Sequence, residues 1–503
     1  MLTLLLVLAL ATAFASRNPR QAVRLAVFLV PWEGLEADLG LRITAYRVAA
    51  GALLIVSLLP SSRAARRISP WPRTYIAFLA FAAIWTVLQI PELPEYSVYA
   101  GSLRSGTTRL LSQCAILILQ FAPLAAIPKF VGEMDHIAEL GRVYIMSCLA
   151  LAAVGFIQIA VWFLAGVDPL PVGVLEAVLG HGSELGRVQR SAYLNTAGAT
   201  FLRMSSLGGE PKGLGQSLVV ALLMLQVARG VTRSRPATTA VWAILGLATM
   251  LTWSTSAFFL WTLGTGTHLI VTQMLKSVRG PRPRALGVGP RVLTGAVLLT
   301  TGLAFSGLFG SPEDVGEVME QRTIAREAVE DFDAVVLDFL RAEPDRLVAG
   351  AGVGAVHFYA HRFIPAKYAH YMVGNVFAAK STLLRVVSET GVIGLALLGL
   401  AIAGTLRGLS RALMAIPQTD TRRASWLDQA RQLAGFAYTL VPCFLARTYI
   451  FGQMMLTLGA VIACTLAVRE LKRSTLPESA THDQHLRPIQ SSGRASTVGA
   501  ARS

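Results

Sequence analysis

Apolar stretches, each near the roughly 20 residues that cross a bilayer's hydrocarbon as a helix, alternate with short polar links along most of the chain. The pattern predicts spans near residues 1–15, 21–32, 43–60, 74–90, 107–127, 143–166, 213–229, 238–254, 256–275, 291–309, 381–405, 431–446 and 450–468. The first two are short. Met1 to Ser16 imitates a secretory signal peptide, with Ala13-Phe-Ala15 before Ser16, but no basic residue precedes its apolar core, so a retained helix is expected.

The links carry the basic residues: Arg17, Arg20 and Arg24; Arg63, Arg66, Arg67 and Arg73; Arg229, Arg233 and Arg235; Lys276, Arg279, Arg282 and Arg284; Arg422 and Arg423. The positive-inside rule makes these links cytoplasmic. The tail after Val468, rich in Ser, Thr, Gly and Pro, belongs on the same side and is expected to be disordered. Three larger segments then fall on the outer face: 91–107, 168–212 and 310–380. In the third, Val315, Val318, Met319, Ala325, Ala328, Phe332, Val335, Val336 and Phe339 recur at three- and four-residue steps among acidic residues. That spacing predicts an amphipathic helix packed on the membrane domain.

The expected fold is therefore an all-α polytopic membrane protein of roughly 11 to 13 transmembrane helices with a large helical extracytoplasmic loop. Residues 1–309 form the N-terminal spans, 310–380 the loop, 381–468 the C-terminal spans and 469–503 the cytoplasmic tail. Composition agrees: of 503 residues 53% are hydrophobic and only 15% charged, which excludes an ordinary water-soluble globule. Cys114, Cys148, Cys443 and Cys464 all lie inside apolar runs, so neither a disulfide framework nor a metal pair is indicated. The net charge of +16 follows from topology, not from nucleic-acid binding. No repeat of 20 to 50 residues signals a solenoid, and no duplicated half signals a secondary transporter.

Three stretches place polar residues at the predicted edges of spans, where charge is costly and more often functional. The first, Arg203-Met-Ser-Ser-Leu-Gly-Gly-Glu210-Pro-Lys212-Gly-Leu-Gly215, leads from an outer loop into a helix. Arg203 and Lys212 set two cations where a diphosphate head group can lie; the plain alternative is a snorkelling Lys212 and a first-turn acid at Glu210. The second runs from Arg322 and Arg326, one turn apart, through Arg341 to Gly350-Ala-Gly352-Val-Gly354. Its cations share a target or pair with neighbouring acids such as Glu330, and alternating glycines alone are a weak signal. The third, Lys380-Ser381 through Glu389-Thr-Gly391-Val-Ile-Gly394, starts a helix at the outer boundary. Glu389 lies about 12 Å deeper and needs a partner there, while Gly391 and Gly394 permit close helix packing. Asp331-Phe-Asp333 has residues two apart, which do not share a helix face, so it reads as a solvated acidic face. No metal or other cofactor is expected.

Taken in order, these stretches and the membrane-embedded Leu251-Thr-Trp-Ser254-Thr-Ser256-Ala257 resemble the O-antigen polymerase and O-antigen ligase superfamily of membrane glycosyltransferases, over roughly residues 40 to 465. In that family the last motif reads His-Asn-x-x-Leu, four residues, then Glu-x-Gly-x-x-Gly. Leu384, Glu389, Gly391 and Gly394 match in register, but Lys380 and Ser381 stand at the His-Asn positions. That departure points away from a histidine-dependent ligase and toward a polymerase, with His370 or His361 as the available substitutes. The resemblance implies an enzyme of the bacterial plasma membrane that moves an undecaprenyl-diphosphate-linked glycan to an acceptor sugar at the outer face. A chain-length regulator or flippase of the same pathway would be its partners. Arg203, Arg322, Arg326, Lys212 and Arg341 would hold the diphosphate, with Lys380, His370 or Glu389 to take the acceptor's proton. Flippase is the competing class; it would line a path with charge deep in several helices.

Overall fold

The computed structural model describes residues 2–38, 42–59, 73–93, 106–170, 193–195, 200–227, 235–277, 331–364, 378–415 and 424–473. Helices dominate: α1 (Leu2–Arg17), α2 (Pro19–Leu29), α3 (Ala45–Leu58), α4 (Arg73–Leu88), α5 (Gly106–Gln120), α6 (Ala122–Phe130), α7 (Met134–Ala165), α8 (Pro211–Val227), α9 (Arg235–Leu251), α10 (Thr255–Ser277), α11 (Asp331–Ala342), α12 (Arg346–Ala349), α13 (Val356–Ala360), α14 (Thr382–Met414), α15 (Ala424–Ala446) and α16 (Phe451–Arg473). Every predicted span falls on a helix except 291–309, which lies outside the described residues.

Two details refine the sequence reading. The predicted span at 107–127 is present as one apolar stretch, Gly106–Phe130, but it is jointed: Pro123 has no N–H for the carbonyl four residues back, so α5 ends and α6 begins on either side of Phe121. The fold is also not purely helical. Two antiparallel ribbons, β1 (Glu36–Asp38) with β2 (Arg42–Thr44) and β3 (Tyr193–Asn195) with β4 (Thr200–Leu202), form in links between helices. Glu36 faces Thr44 and Tyr193 faces Leu202.

Among the described residues four helical stretches, Gly106–Phe130, Met134–Ala165, Thr382–Met414 and Thr448–Leu471, are long and apolar enough to cross a membrane, and several shorter apolar helices accompany them. Large apolar side chains point outward, among them Leu164 (88% exposed), Ile157 and Met146 on α7. Water would not tolerate such a surface over a wide area; hydrocarbon would. The architecture is consistent with a multi-pass membrane protein.

The described residues gather into two hydrophobic cores. The main one fills the bundle, where α6 packs on α16, α10 on α15, and α8 on both α9 and α10. The smaller one gathers Val335, Val336, Phe339 and Leu340 of α11 with Leu110 and Val356. The amphipathic helix predicted before residue 340 is thus present from Asp331, with its apolar stripe buried as expected; Gly310 to Glu330 lie outside the described residues.

Asp333 departs from its predicted place on a solvated face. It is buried, and one carboxylate oxygen accepts the Lys380 N–H at 2.8 Å and the Ser381 N–H at 3.3 Å. The burial is legible afterwards: 333, 336 and 340 fall on one stripe at i, i+3 and i+7. Asp333 therefore caps the start of α14 from α11, joining the small core to the bundle.

Candidate functional site

The 203–212 stretch is held by a buried amide. Gln158 of α7 accepts the N–H groups of Ser205 (3.1 Å) and Ser206 (2.9 Å) on its Oε1. Its Nε2 donates to the Asp168 carboxylate at 3.1 and 3.2 Å. Burial pushes the Asp168 carboxyl above the usual range, with the Leu170 N–H and Gln158 acting in the other direction. Ser206 is bent into a left-handed conformation and donates its hydroxyl to the Leu151 carbonyl at 2.7 Å. The chain thereby arrives at Glu210-Pro211 in one fixed direction.

At that point Glu210 and Lys212 form an ion pair at 2.9 Å. Tyr449 donates its hydroxyl to the same carboxylate at 3.1 Å, and the Lys212 ammonium sits 5.1 Å from the centre of the Tyr449 ring. Burial alone would raise Glu210; Lys212, Tyr449 and Lys380 outweigh it and hold the carboxyl below the ordinary glutamate range. Lys380 is thus close enough to act on Glu210. Its ammonium lies 4.5 Å from the centre of the Phe332 ring, and its carbonyl accepts the Thr448 N–H at 3.0 Å. Ser381 accepts the Leu384 N–H on its hydroxyl, as a helix cap does, and donates to the Leu445 carbonyl at 3.1 Å. The start of α8, the start of α14 and the 447–450 turn therefore converge.

Arg203, also buried, donates from Nε to the Thr252 carbonyl at 3.0 Å and from Nη2 to the Trp253 carbonyl at 3.3 Å. It secures the turn between α9 and α10 inside the Leu251–Ala257 motif. Arg341 pairs with Asp338 at 3.0 Å on the exposed side of α11, a surface pair of small weight. Arg322, Arg326 and His370 lie outside the described residues, and of His361 only the backbone is described.

The other two glycine motifs meet each other. α14 is interrupted at Gly391, whose φ of 67° and ψ of −173° are not helical. Into this break run Gly350-Ala351-Gly352: Ala351 N–H donates to the Ser388 carbonyl at 2.8 Å and Gly352 N–H to the Glu389 carbonyl at 2.9 Å. The fit leaves no room for side chains. A Cβ on Gly350 would lie 2.4 Å from the Glu389 carbonyl carbon, and one on Gly391 would lie 2.1 Å from the Val348 oxygen. Gly394 is equally tight, against the Thr390 hydroxyl, and α4 holds the seam from behind, with Trp85 donating to the Gly350 carbonyl at 3.0 Å. Glu389 finds its partner one turn back, in Arg385 at 3.2 Å.

So α14 links all three stretches, its start touching the first and its break holding the end of the second. Sequence reasoning misplaced Asp333 on a solvated face and missed Arg385 as the partner of Glu389 and the 447–450 turn. For the turn a signal existed: Arg447 stands in a three-residue link that the charge pattern assigns to the outside, against the usual basic bias. Among the described residues no three His, Cys, Asp or Glu side chains are grouped to hold a metal ion. No family model matches this chain, and no curated protein matches its sequence.

Proposed function

We propose that this chain is a multi-pass protein of a bacterial plasma membrane that polymerises undecaprenyl-diphosphate-linked oligosaccharide units at the outer face, with residues 310–380 as an extracytoplasmic loop and the C-terminus in the cytoplasm. One observation supports it above the rest: Lys212, Glu210, Tyr449 and Lys380 come together at the ends of apolar helices, where a lipid-linked head group meets the bilayer surface. A diphosphate leaves readily once its negative charge is held, and that role falls to Lys212, exchanging its Glu210 pair for the phosphate, and to Lys380. The face of Phe332 attracts the Lys380 ammonium, a setting suited to holding charge. Arg203, through the α9–α10 turn, and Asp333, through the α14 cap, keep these elements in register. Direct displacement by an acceptor hydroxyl then forms the new glycosidic bond, breaks the sugar–phosphate bond, passes the hydroxyl proton to the departing diphosphate or to water, and inverts the anomeric carbon.

The test is a mass profile of undecaprenyl-diphosphate-linked glycans in cells lacking the protein, with and without glycosidase outside. Single repeat units within reach of the glycosidase support a polymerase. Single units out of its reach indicate a flippase, and long lipid-linked chains a ligase; either outcome overturns the proposal. Lys380→Ala should abolish polymer while the protein still accumulates in the membrane, and near-normal polymer from it would remove Lys380 from the site.

A further inference from the structure

Away from this site, α2, α6, α7, α8, α15 and α16 enclose a cavity of about 140 Å³. That is close to the size of an engineered core cavity that admits a benzene ring, so it has room for several methylene groups. Its walls are mainly apolar, with Ile137 and Leu140 from α7, Met224 from α8, and Leu433 and Phe436 from α15. The polar groups at its back are satisfied: Tyr144 donates to the Ser217 carbonyl at 3.1 Å and Gln453 to the Ser217 hydroxyl at 3.1 Å.

The rim is different. Arg142 is exposed there and makes no ion pair or hydrogen bond among the described residues. The Oε1 of Gln429, also lining the cavity, is buried with no donor among the described residues. Neighbouring cations at this end of the bundle are engaged: Arg20 with Glu133 at 3.5 Å, Arg24 with Glu139, and Lys129 with the Ser57 carbonyl at 2.6 Å. An apolar slot with a cation and a donor-seeking oxygen at its mouth matches an amphiphile with a hydrocarbon chain, an anionic phosphate and a head-group hydroxyl.

We propose that this cavity takes a segment of one acyl chain of a phosphatidylglycerol-type phospholipid from the leaflet at the basic end of the bundle, with its phosphate on Arg142 and a head-group hydroxyl donating to Gln429. The inference rests on the membrane placement and not on the glycan chemistry. The chain seats the lipid and the head group selects it, which ties the packing of α7 against α15 to the anionic lipid content of that leaflet.

The test places the full-length protein in phosphatidylethanolamine nanodiscs with a phosphatidylglycerol that carries a diazirine on its acyl chain, and maps the cross-links by mass spectrometry. Label is expected within 137–144 of α7 and 429–436 of α15. Unlabelled phosphatidylglycerol should compete, while added phosphatidylethanolamine and glycerol 3-phosphate should not. Arg142→Gln should reduce the label about fivefold, the effect of one basic residue facing an anionic lipid. Label confined to outward positions such as Met146, Ile157 and Leu164, equal competition by phosphatidylethanolamine, or unchanged label in Arg142→Gln overturns the proposal. Competition by glycerol 3-phosphate would mean a phosphate site without a lipid chain and overturns it too. Mapping on the wild-type protein needs no variant, so a poorly folding Arg142→Gln leaves the test intact. No readout uses glycan transfer, so its failure is distinct from failure of the polymerase reading.

Discussion

Glu210 is a carboxylate whose neighbours overcome its burial, and this has a direction in pH. Because its folded-state pKa lies below the unfolded one, its ionisation contributes stability fully present above the ordinary glutamate value of about 4.3. That contribution is lost as pH falls through the lower folded value. Glu210→Gln should lower the thermal midpoint in detergent at neutral pH, by the equivalent of about 0.2–1 kcal/mol for a partly exposed pair, and the difference should close on acidification. Equal midpoints at pH 7 would contradict the assignment. Asp333→Ala should remove the cap on α14 and cost about 1 kcal/mol, with Asp333→Asn milder; a denaturant series on both variants checks it. Residue identities such as Lys212, Glu210, Lys380 and Glu389 could be picked out from sequence because charge at a span edge is conspicuous. Their partners could not. Tyr449 lies 239 positions from Glu210, and nothing local in either segment encodes that meeting.

Helices were legible wherever apolar length decides them, as along α7, α14 and α16, but not always their limits: α7 begins at Met134 and α14 runs on to Met414, beyond the predicted 143–166 and 381–405, because the polar turns at those ends carry no apolar signal. What sequence left open was how two glycine motifs, each an ordinary packing signal by itself, are used. Their pairing depends on a break inside α14 that no local propensity demands, since Val386 to Leu398 reads as one apolar helix interrupted only by Ser388, Glu389, Thr390 and the glycines. Gly391→Ala should be severe. Its left-handed backbone costs a residue with a Cβ about 1–2 kcal/mol, and the overlap with the Val348 oxygen adds to that. The expected result is a thermal midpoint several degrees lower together with faster proteolysis between Asp331 and Phe363. A variant as protease-resistant as the wild type would show that the seam does not hold that segment. Gly399, with open space around it, is the matched control: Gly399→Ala should leave both readouts unchanged.

For the whole molecule, the distribution of charge predicts orientation. A fluorescent protein joined after Arg473 should fluoresce in intact cells, and alkaline phosphatase inserted after Pro344 should be active only if that segment is exported; the opposite pair of results would invert the proposed topology. Orientation matters because the 331–364 unit is attached to the bundle in a particular way. Its seam with α14 joins main chain to main chain, through the N–H groups of Ala351 and Gly352, with the Asp333 cap and the small apolar core as the side-chain contacts beside it. A joint of that kind places few demands on the residues hung from it. The unit is in effect an exchangeable cassette: surface positions such as Asp338, Arg341 and Val348 are open to redrawing while Asp333, Gly350, Gly352 and Gly391 keep the graft in place.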